Sequence, residues 1–104
     1  MHLMLFYTGK KRTASDIADS YVHDLDRKKR QLRIMKDLVE ESISILASGN
    51  DMTAFGELLH ETWQFKRSLS PKVSNPLIDE IYEQAIGAGA IGGKVTGAGG
   101  GGFM

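Results

Sequence analysis

Apolar residues near the start of the chain alternate in a way that predicts a β-strand. Over residues 2–8 the side chains fall alternately on two faces of an extended chain, and both faces are mostly apolar. A strand with two apolar faces is typical of the interior of a sheet, so we expect this one to be covered on both sides. Gly9 ends the strand, and residues 10–12 form a short basic turn.

Helical periodicity takes over after this turn. A Thr-x-x-Asp pattern begins at Thr13 and is typical of a helix start, which predicts a first helix over about residues 14–25. In the second helix, apolar residues recur at spacings of 3, 4, 4 and 3, and Gly49 is the expected stop. The predicted buried stripe of this second helix consists of Leu32, Met35, Val39, Ile43 and Leu46.

Two more helices are predicted in the second half of the chain. Asn50 or Asp51 is the expected cap of the third helix, and Pro71 closes it. The fourth helix has the clearest start, with Asn75 as the N-cap and Pro76 at the first helical position, where a missing N–H costs nothing. Its predicted buried face consists of Leu77, Ile78, Ile81, Tyr82 and Ala85.

The C-terminal residues return to extended structure in this interpretation. Residues 92–96 are expected to form a strand, residues 97–101 a loop, and residues 102–104 the opening of another strand. The predicted fold class is therefore α+β, a small antiparallel sheet with about four helices packed on it, as one domain over residues 1–104. Because the chain starts and stops next to predicted strands, we expect a piece of a larger protein.

Composition narrows the functional classes. Lys plus Arg and Asp plus Glu each total 13, so the net charge is zero and no overall field favours nucleic acid or anionic lipid. The apolar fraction of 41% and charged fraction of 25% are typical of a soluble globular protein. The longest early apolar run is too short to cross a bilayer, and without cysteine there is no thiolate metal site. We expect a cytoplasmic protein without nucleic-acid or membrane partners, and the three histidines lack metal-ligand spacing.

Glycine is the unusual feature, since nine of the 12 glycines lie between Gly87 and Gly102. A G-x-G-x-x-G match within residues 97–102 is not followed by a helix, so it is not a dinucleotide-binding fingerprint. The spacing of a P-loop also occurs, but Phe103 and Met104 replace the required Lys and Ser or Thr. Two interpretations remain open: an anion-binding nest of backbone N–H groups, and a flexible hairpin without a ligand.

Basic residues suggest two further sites. Two or three cations stand beside the hydroxyls of Ser68 and Ser70, just before the fourth helix, and form either a phosphate-facing corner or an ordinary polar loop. These cations are Lys66, Arg67 and Lys72. The basic run over residues 27–30 is expected to be a solvated helix face, and Trp63 is expected in the core.

At this point the chain resembles a known family. Residues 94–103 (KVTGAGGGGF) resemble the third motif of the GHMP kinases. Residues 5–9, 12–17, 60–70 and 74–79 are similar, in the same order, to the D-glycero-D-manno-heptose 7-phosphate kinase branch and its fucokinase-like relatives. The resemblance covers essentially the whole chain.

The resemblance implies a parent enzyme that transfers the γ-phosphoryl group of ATP, with Mg²⁺, to a sugar hydroxyl, which in the heptose branch is the anomeric one. It also implies a loop that borders the active site, where backbone N–H groups can stabilise negative charge. The residues to which this role carries over are Gly97, Ala98, Gly99, Gly100 and Gly101. The weaker candidates for the sugar-phosphate side are Lys66, Arg67 and Lys72.

Important parts of such a kinase are absent from this sequence. The phosphate loop of the form P-x-x-x-G-L-G-S-S-A is absent, and so is the region that supplies the catalytic acid and the metal ligands. The resemblance therefore implies a truncated, ferredoxin-like C-terminal domain that reaches ATP and a sugar phosphate through a missing N-terminal domain and is inactive alone. Two alternatives are a stand-alone module that binds an anion or a partner, and a remnant that pairs its strand edges with a second copy.

Overall fold

A computed structural model describes residues 2–49 and 51–104, and the regular secondary structure of these residues is entirely helical. The four helices of the described chain are α1 (Ala14–Val22), α2 (Leu25–Ser48), α3 (Thr53–Arg67) and α4 (Pro76–Gly87). Helix α2 packs along α3, and α1 contacts the start of this pair. The prediction of an α+β fold with an antiparallel sheet and a ferredoxin-like arrangement is therefore wrong.

The strand predicted over residues 2–8 has only one neighbour among the described residues. Residues 102–104 run antiparallel to it, and they form a single isolated bridge between Tyr7 and Phe103. Every side chain from Leu3 to Tyr7 is at least half exposed, from 52% for Tyr7 to 71% for Met4. The expectation that both faces of this segment are covered is therefore also wrong.

Backbone geometry explains why the C-terminal strands do not form a ladder. Gly97, Gly99, Gly100 and Gly102 have φ angles of 70°, 105°, 75° and 83°, whereas β-strands need strongly negative φ. The glycines thus turn the chain away from the extended conformation between Thr96 and residue 103. Among the described residues, Thr96 alone joins the two predicted strands by hydrogen bonds, since its N–H and its hydroxyl both donate to the Phe103 carbonyl, at 2.8 and 3.2 Å.

Residues 92–95 pack against a helix instead of a neighbouring strand. A Cβ atom on Gly92 would lie 2.1 Å from the carbonyl oxygen of Gly56 in α3, so this segment touches the helix backbone itself. Val95 is fully buried at the end of the segment. An extended segment that packs in this way has no strand with which to exchange ladder hydrogen bonds.

Helices α1 and α2 follow the predicted pattern with two corrections. Helix α1 ends at Val22, and its N-cap residue Thr13 forms no side-chain capping hydrogen bond. Helix α2 ends as predicted at Gly49, whose φ of 66° is left-handed. The predicted stripe of α2 is only partly buried. The apolar residues of this helix cover a wide arc of its surface, and its buried residue, Leu38, is not a member of the predicted stripe. The exposed members of the predicted stripe are Val39, Ile43 and Leu46.

The start of α4 is confirmed. The side chain of Asn75 accepts a hydrogen bond from the Ile78 N–H at 3.0 Å, and Pro76 occupies the first turn. Before α3, the carboxylate of Asp51 accepts from the Thr53 N–H at 3.0 Å, although Met52 is the N-cap residue. The other predicted cap, residue 50, lies outside the described residues.

The core lies where α3 and α4 meet the loops that follow each of them. Its fully buried side chains are Trp63, Ile78, Val73 and Val95, which confirms the core position predicted for Trp63. Tyr82 of α4 packs near Trp63, with 6.4 Å between the ring centroids. Within the residues described, we find no helix with the length and apolar character needed to span a membrane.

The contact between Gly92 and α3 yields a test of this packing. We expect Gly92→Ala to lower the free energy of unfolding by about 1–3 kcal/mol, because the new methyl group overlaps backbone atoms of α3 that cannot move alone. Denaturant unfolding would measure the change. Gly87→Ala is the matched control, since its Cβ would meet open space at the end of α4. Equal stabilities for the two variants would contradict this packing.

Candidate functional site

The glycine loop, defined here as residues 97–102, lies directly against the backbone of two other segments. A Cβ atom on Gly99 would lie 2.6 Å from the carbonyl oxygen of Val73, and one on Gly101 would lie 2.7 Å from that of Lys10. Contacts this short exclude any side chain at either position. Close backbone approach therefore requires glycine at both positions, and the positive φ of Gly99 adds a second reason there.

Hydrogen bonds fix the loop at both of these contacts. The Gly100 N–H donates to the Val73 carbonyl at 2.7 Å, and the Gly102 N–H donates to the Lys10 carbonyl at 2.8 Å. Asn75 adds a third bond, since its Nδ2 donates to the Gly100 carbonyl at 3.2 Å while its Oδ1 caps α4. The loop is thus anchored to the turn that precedes α4.

The remaining N–H groups of the loop are unpaired. Those of Gly97, Ala98, Gly99 and Gly101 donate to no acceptor within residues 2–49 and 51–104. Several neighbouring N–H donors on an anchored turn can bind an anion without the cost of first ordering the chain. Gly97 is exposed and Ala98 half-buried, so this end of the loop could meet a ligand with anionic oxygens, whereas Gly99 and Gly101 are buried.

Lys66, one of the three predicted cations, is buried beneath the loop. It is 7% exposed, and its Nζ donates to the Val95 carbonyl at 3.2 Å and also to the Gly97 carbonyl. Burial, together with the smaller effect of the nearby charge of Lys94, lowers the pKa of Lys66 from its ordinary 10.5 to about 8. In this position Lys66 holds the first turn of the loop.

The other two predicted cations have different surroundings. Arg67 pairs with Asp79 at the start of α4, with 3.1 Å between Nη2 and Oδ1, and Asp79 also accepts from Ser74. Lys72 is exposed, and its side chain has no hydrogen-bond or ion-pair partner among the residues that the structure describes, although its backbone N–H donates to the Ser70 hydroxyl at 3.1 Å. The structure therefore does not bring the three cations together at one point.

A cleft of about 270 Å³ opens beside the loop. Lys72 shares this cleft with Arg12, which was predicted to lie in a basic turn and belongs to one of the stretches that resemble the kinase family, but was not predicted as a site residue. The polar residues and the glycine that line it are Arg12, Asp16, Lys72, Ser74, Asn75 and Gly100. No sequence signal links Arg12 to Lys72, because only tertiary packing brings residues 10–12 to the loop.

Other candidate sites are less well supported. The basic run over residues 27–30 is confirmed as a solvated helix face, where Lys29 pairs with Asp26 at 2.9 Å and Lys28 donates to the Ser68 carbonyl. Within the described chain, no group of three or more His, Asp or Glu side chains could hold a metal ion.

The buried lysine predicts how stability depends on pH. The unfolded chain binds a proton at Lys66 up to about pH 10.5, whereas the folded chain releases it near pH 8. The unfolded state thus binds more protons between these values, and the free energy of unfolding should rise with pH across this window. Below about pH 8 this stabilisation is lost.

Chemical denaturation from pH 7 to 10.5 would test this. The rise should disappear in Lys66→Met, which has no titrating group there, and should persist in Lys11→Met, which removes an exposed lysine. Indistinguishable pH profiles for Lys66→Met and the original chain would rule out a lowered pKa at Lys66.

Known proteins resemble this chain over nearly its full length. D-glycero-alpha-D-manno-heptose 7-phosphate kinase of Campylobacter jejuni is 33% identical over 103 residues, which is 97% of this chain and 30% of that enzyme. Galactokinase of Candida parapsilosis is 34% identical over 98 residues, 94% of this chain and 19% of that enzyme. The bifunctional fucokinase/GDP-fucose pyrophosphorylase of Arabidopsis thaliana is 29% identical over 110 residues, 97% of this chain and 10% of that protein.

The chain thus spans less than a third of the length of each of these relatives. The profile of a domain family described as "GHMP kinases C terminal" matches residues 34–104, which is more than half of the chain and includes the glycine loop. On this evidence the chain belongs to the GHMP kinase C-terminal domain family.

Proposed function

We propose that the chain, over residues 1–104, is the C-terminal domain of an ATP-dependent sugar kinase and acts together with an N-terminal domain that holds the nucleotide. In this proposal the glycine loop borders the phosphates of ATP. The observation that carries the proposal is the set of unpaired N–H groups on an anchored turn, at Gly97, Ala98, Gly99 and Gly101. A cytoplasmic location is part of the same proposal, because ATP is the donor.

The chemistry of phosphoryl transfer suits such a loop. The reaction depends mostly on positioning and on stabilising negative charge that is spread over the transferred group. Backbone N–H donors that are already oriented stabilise this charge without reorganising during the reaction. Gly100 has a different role, because its N–H is bonded to Val73 and it serves to hold the turn in place.

The described residues do not provide a metal site, so we assign no step of the reaction to a metal on this domain. Mg²⁺ belongs to the proposal only as the partner of ATP on the rest of the enzyme. We likewise assign no catalytic acid or base to this chain.

The acceptor in our proposal is a sugar phosphate of the heptose 7-phosphate class, with the anomeric hydroxyl as the attacking group. The name of the Campylobacter jejuni relative supports this class, and the other relatives are named for galactose and fucose. Among the three predicted cations, Lys72 is the best placed for the phosphate of the acceptor. It is exposed and unpaired among the described residues, whereas Arg67 is engaged with Asp79 and Lys66 is buried.

A chimeric enzyme tests the kinase proposal. We would replace the matching stretch of the Campylobacter jejuni heptose kinase with residues 2–104 and measure ATP-dependent phosphorylation of heptose 7-phosphate. We expect activity in the chimera and none in the 104-residue chain alone. Gly101→Val in the chimera should lower kcat at least tenfold, because its side chain would displace the loop from Lys10.

Gly87→Ala is the control in the same chimera, since it adds a methyl group in open space away from the loop. An inactive chimera that folds and binds ATP would argue against the kinase proposal. Turnover by the isolated chain would refute the need for an N-terminal domain. Equal kcat values for the Gly101→Val and Gly87→Ala chimeras would refute the role of the loop.

One surface favours association with another polypeptide as part of the proposed function. The segment from Leu3 to Tyr7 exposes five consecutive large apolar side chains. Phe6 forms backbone hydrogen bonds with Met104, whereas the peptide groups of Leu5 and Tyr7 have no backbone partner in the described part of the chain. Such an edge can accept another strand, either from the remainder of the enzyme or, in isolation, from a second copy.

Light scattering on the isolated chain tests this association. We expect oligomers whose fraction rises with concentration, and Leu5→Lys should lower that fraction because it charges the open edge. Ile43→Lys is the matched control, since Leu5 and Ile43 are 67% and 62% exposed, respectively. A strictly monomeric chain, or an equal effect of both substitutions, would exclude association through this edge.

A further inference from the structure

The cleft beside the glycine loop places Lys72 together with Arg12, a cation to which the kinase proposal gives no role. Two cations from distant parts of the sequence, Arg12 and Lys72, line the same concavity of about 270 Å³. Neither has an ion-pair partner among the described residues. Because like charges repel, two unpaired cations in one cleft cost free energy that an anionic ligand would recover.

We propose that this cleft is a binding site for a terminal phosphate group. Arg12 supplies a planar guanidinium that can donate two parallel hydrogen bonds to phosphate oxygens, and Lys72 supplies a second cationic donor. The hydroxyl of Ser74 and the side chain of Asn75 complete the polar wall. Gly100, which also lines the cleft, uses its own N–H to bond Val73, so the donors that this proposal assigns are side chains.

Packing at Gly100 sets the position of both cations. A Cβ atom on Gly100 would lie 3.2 Å from Cγ of Arg12 and 3.1 Å from the carbonyl oxygen of Lys72. The stem of Arg12 and the backbone of Lys72 therefore both lie close to Gly100, in space that a side chain at this position would need. This contact gives the cleft two charged groups that are anchored at their bases.

The charge of Asp16 provides a test of whether the cleft binds an anion or a cation. It is the only carboxylate among the residues that line the cleft, and it has no ion-pair partner within the described residues. Its negative charge opposes that of the ligand, so removing the charge should tighten binding. A site for a cation would show the opposite response.

Two sources of the phosphate group are compatible with this chemistry. The choice of these two sources rests on the proposed kinase function, whereas the binding of phosphate in the cleft does not. One is a phosphate that the sugar acceptor already carries, and the other is a phosphate of the nucleotide. Titrations of the 104-residue chain with inorganic phosphate, heptose 7-phosphate and ATP, at constant ionic strength, distinguish them. Binding of inorganic phosphate needs no turnover. The titration can therefore fail while the chimera is active, and it can succeed while the chimera is inactive.

We expect saturable binding of inorganic phosphate, monitored by calorimetry and by backbone amide chemical shifts around Gly100. Arg12→Gln and Lys72→Gln should each weaken binding by about tenfold, the effect of losing one charge-assisted hydrogen bond, and Asp16→Asn should strengthen it. Tighter binding of heptose 7-phosphate than of ATP would identify the acceptor as the source, and the reverse would identify the nucleotide. Equal affinities would show that the site recognises the phosphate alone.

Arg33→Gln is the matched control, because Arg33 is an exposed arginine of α2 outside the cleft. It should change the affinity less than twofold, and the chemical-shift spectra of all variants report whether each remains folded. The proposal is wrong if phosphate binding does not saturate at constant ionic strength. It is also wrong if Arg33→Gln weakens binding as much as Arg12→Gln, or if Asp16→Asn does not strengthen it.

Discussion

Close approach of the glycine loop to the turn before α4 is the constraint on which the rest of the structure depends. The Gly99 backbone meets the Val73 carbonyl at a distance that leaves no room for a side chain, and the Gly100 N–H bonds to the same carbonyl. Because Val73 is fully buried, the loop is fixed relative to the core. Asn75 extends this connection, since one side chain caps α4 and also binds the Gly100 carbonyl.

The same arrangement binds half of the carbonyl oxygens of the loop: that of Gly97 by the buried Lys66, that of Gly100 by Asn75, and that of Gly102 by Thr8. Among the described residues, the N–H groups of Gly97, Ala98, Gly99 and Gly101 are unpaired, and so are the carbonyl groups of the last three. Burying an ammonium group is costly, as the lowered pKa of Lys66 indicates, and the carbonyls offset part of that cost.

The features that could be predicted from sequence are those with local causes. Asn75 followed by Pro76 specifies a helix start by itself, and Gly49 ends α2 because it tolerates a left-handed φ. Whether a sheet forms could not be predicted from local sequence, because a strand needs a partner and the alternation of residues 2–8 does not identify one. The charged groups of the site were equally hard to place, since tertiary packing buries Lys66 and brings Arg12 to Lys72.

The open strand edge and the glycine loop are linked through one residue. Thr8 donates both its N–H and its hydroxyl to the Gly102 carbonyl, at 2.8 and 2.9 Å, and Gly102 in turn donates to Lys10. A strand that pairs with the free side of Leu5 and Tyr7 would restrict the extended segment that contains Thr8. Since that segment is bonded to the end of the loop, covering the edge would also restrict the loop. The open edge and the glycine loop are therefore connected through the hydrogen bonds between Thr8 and Gly102.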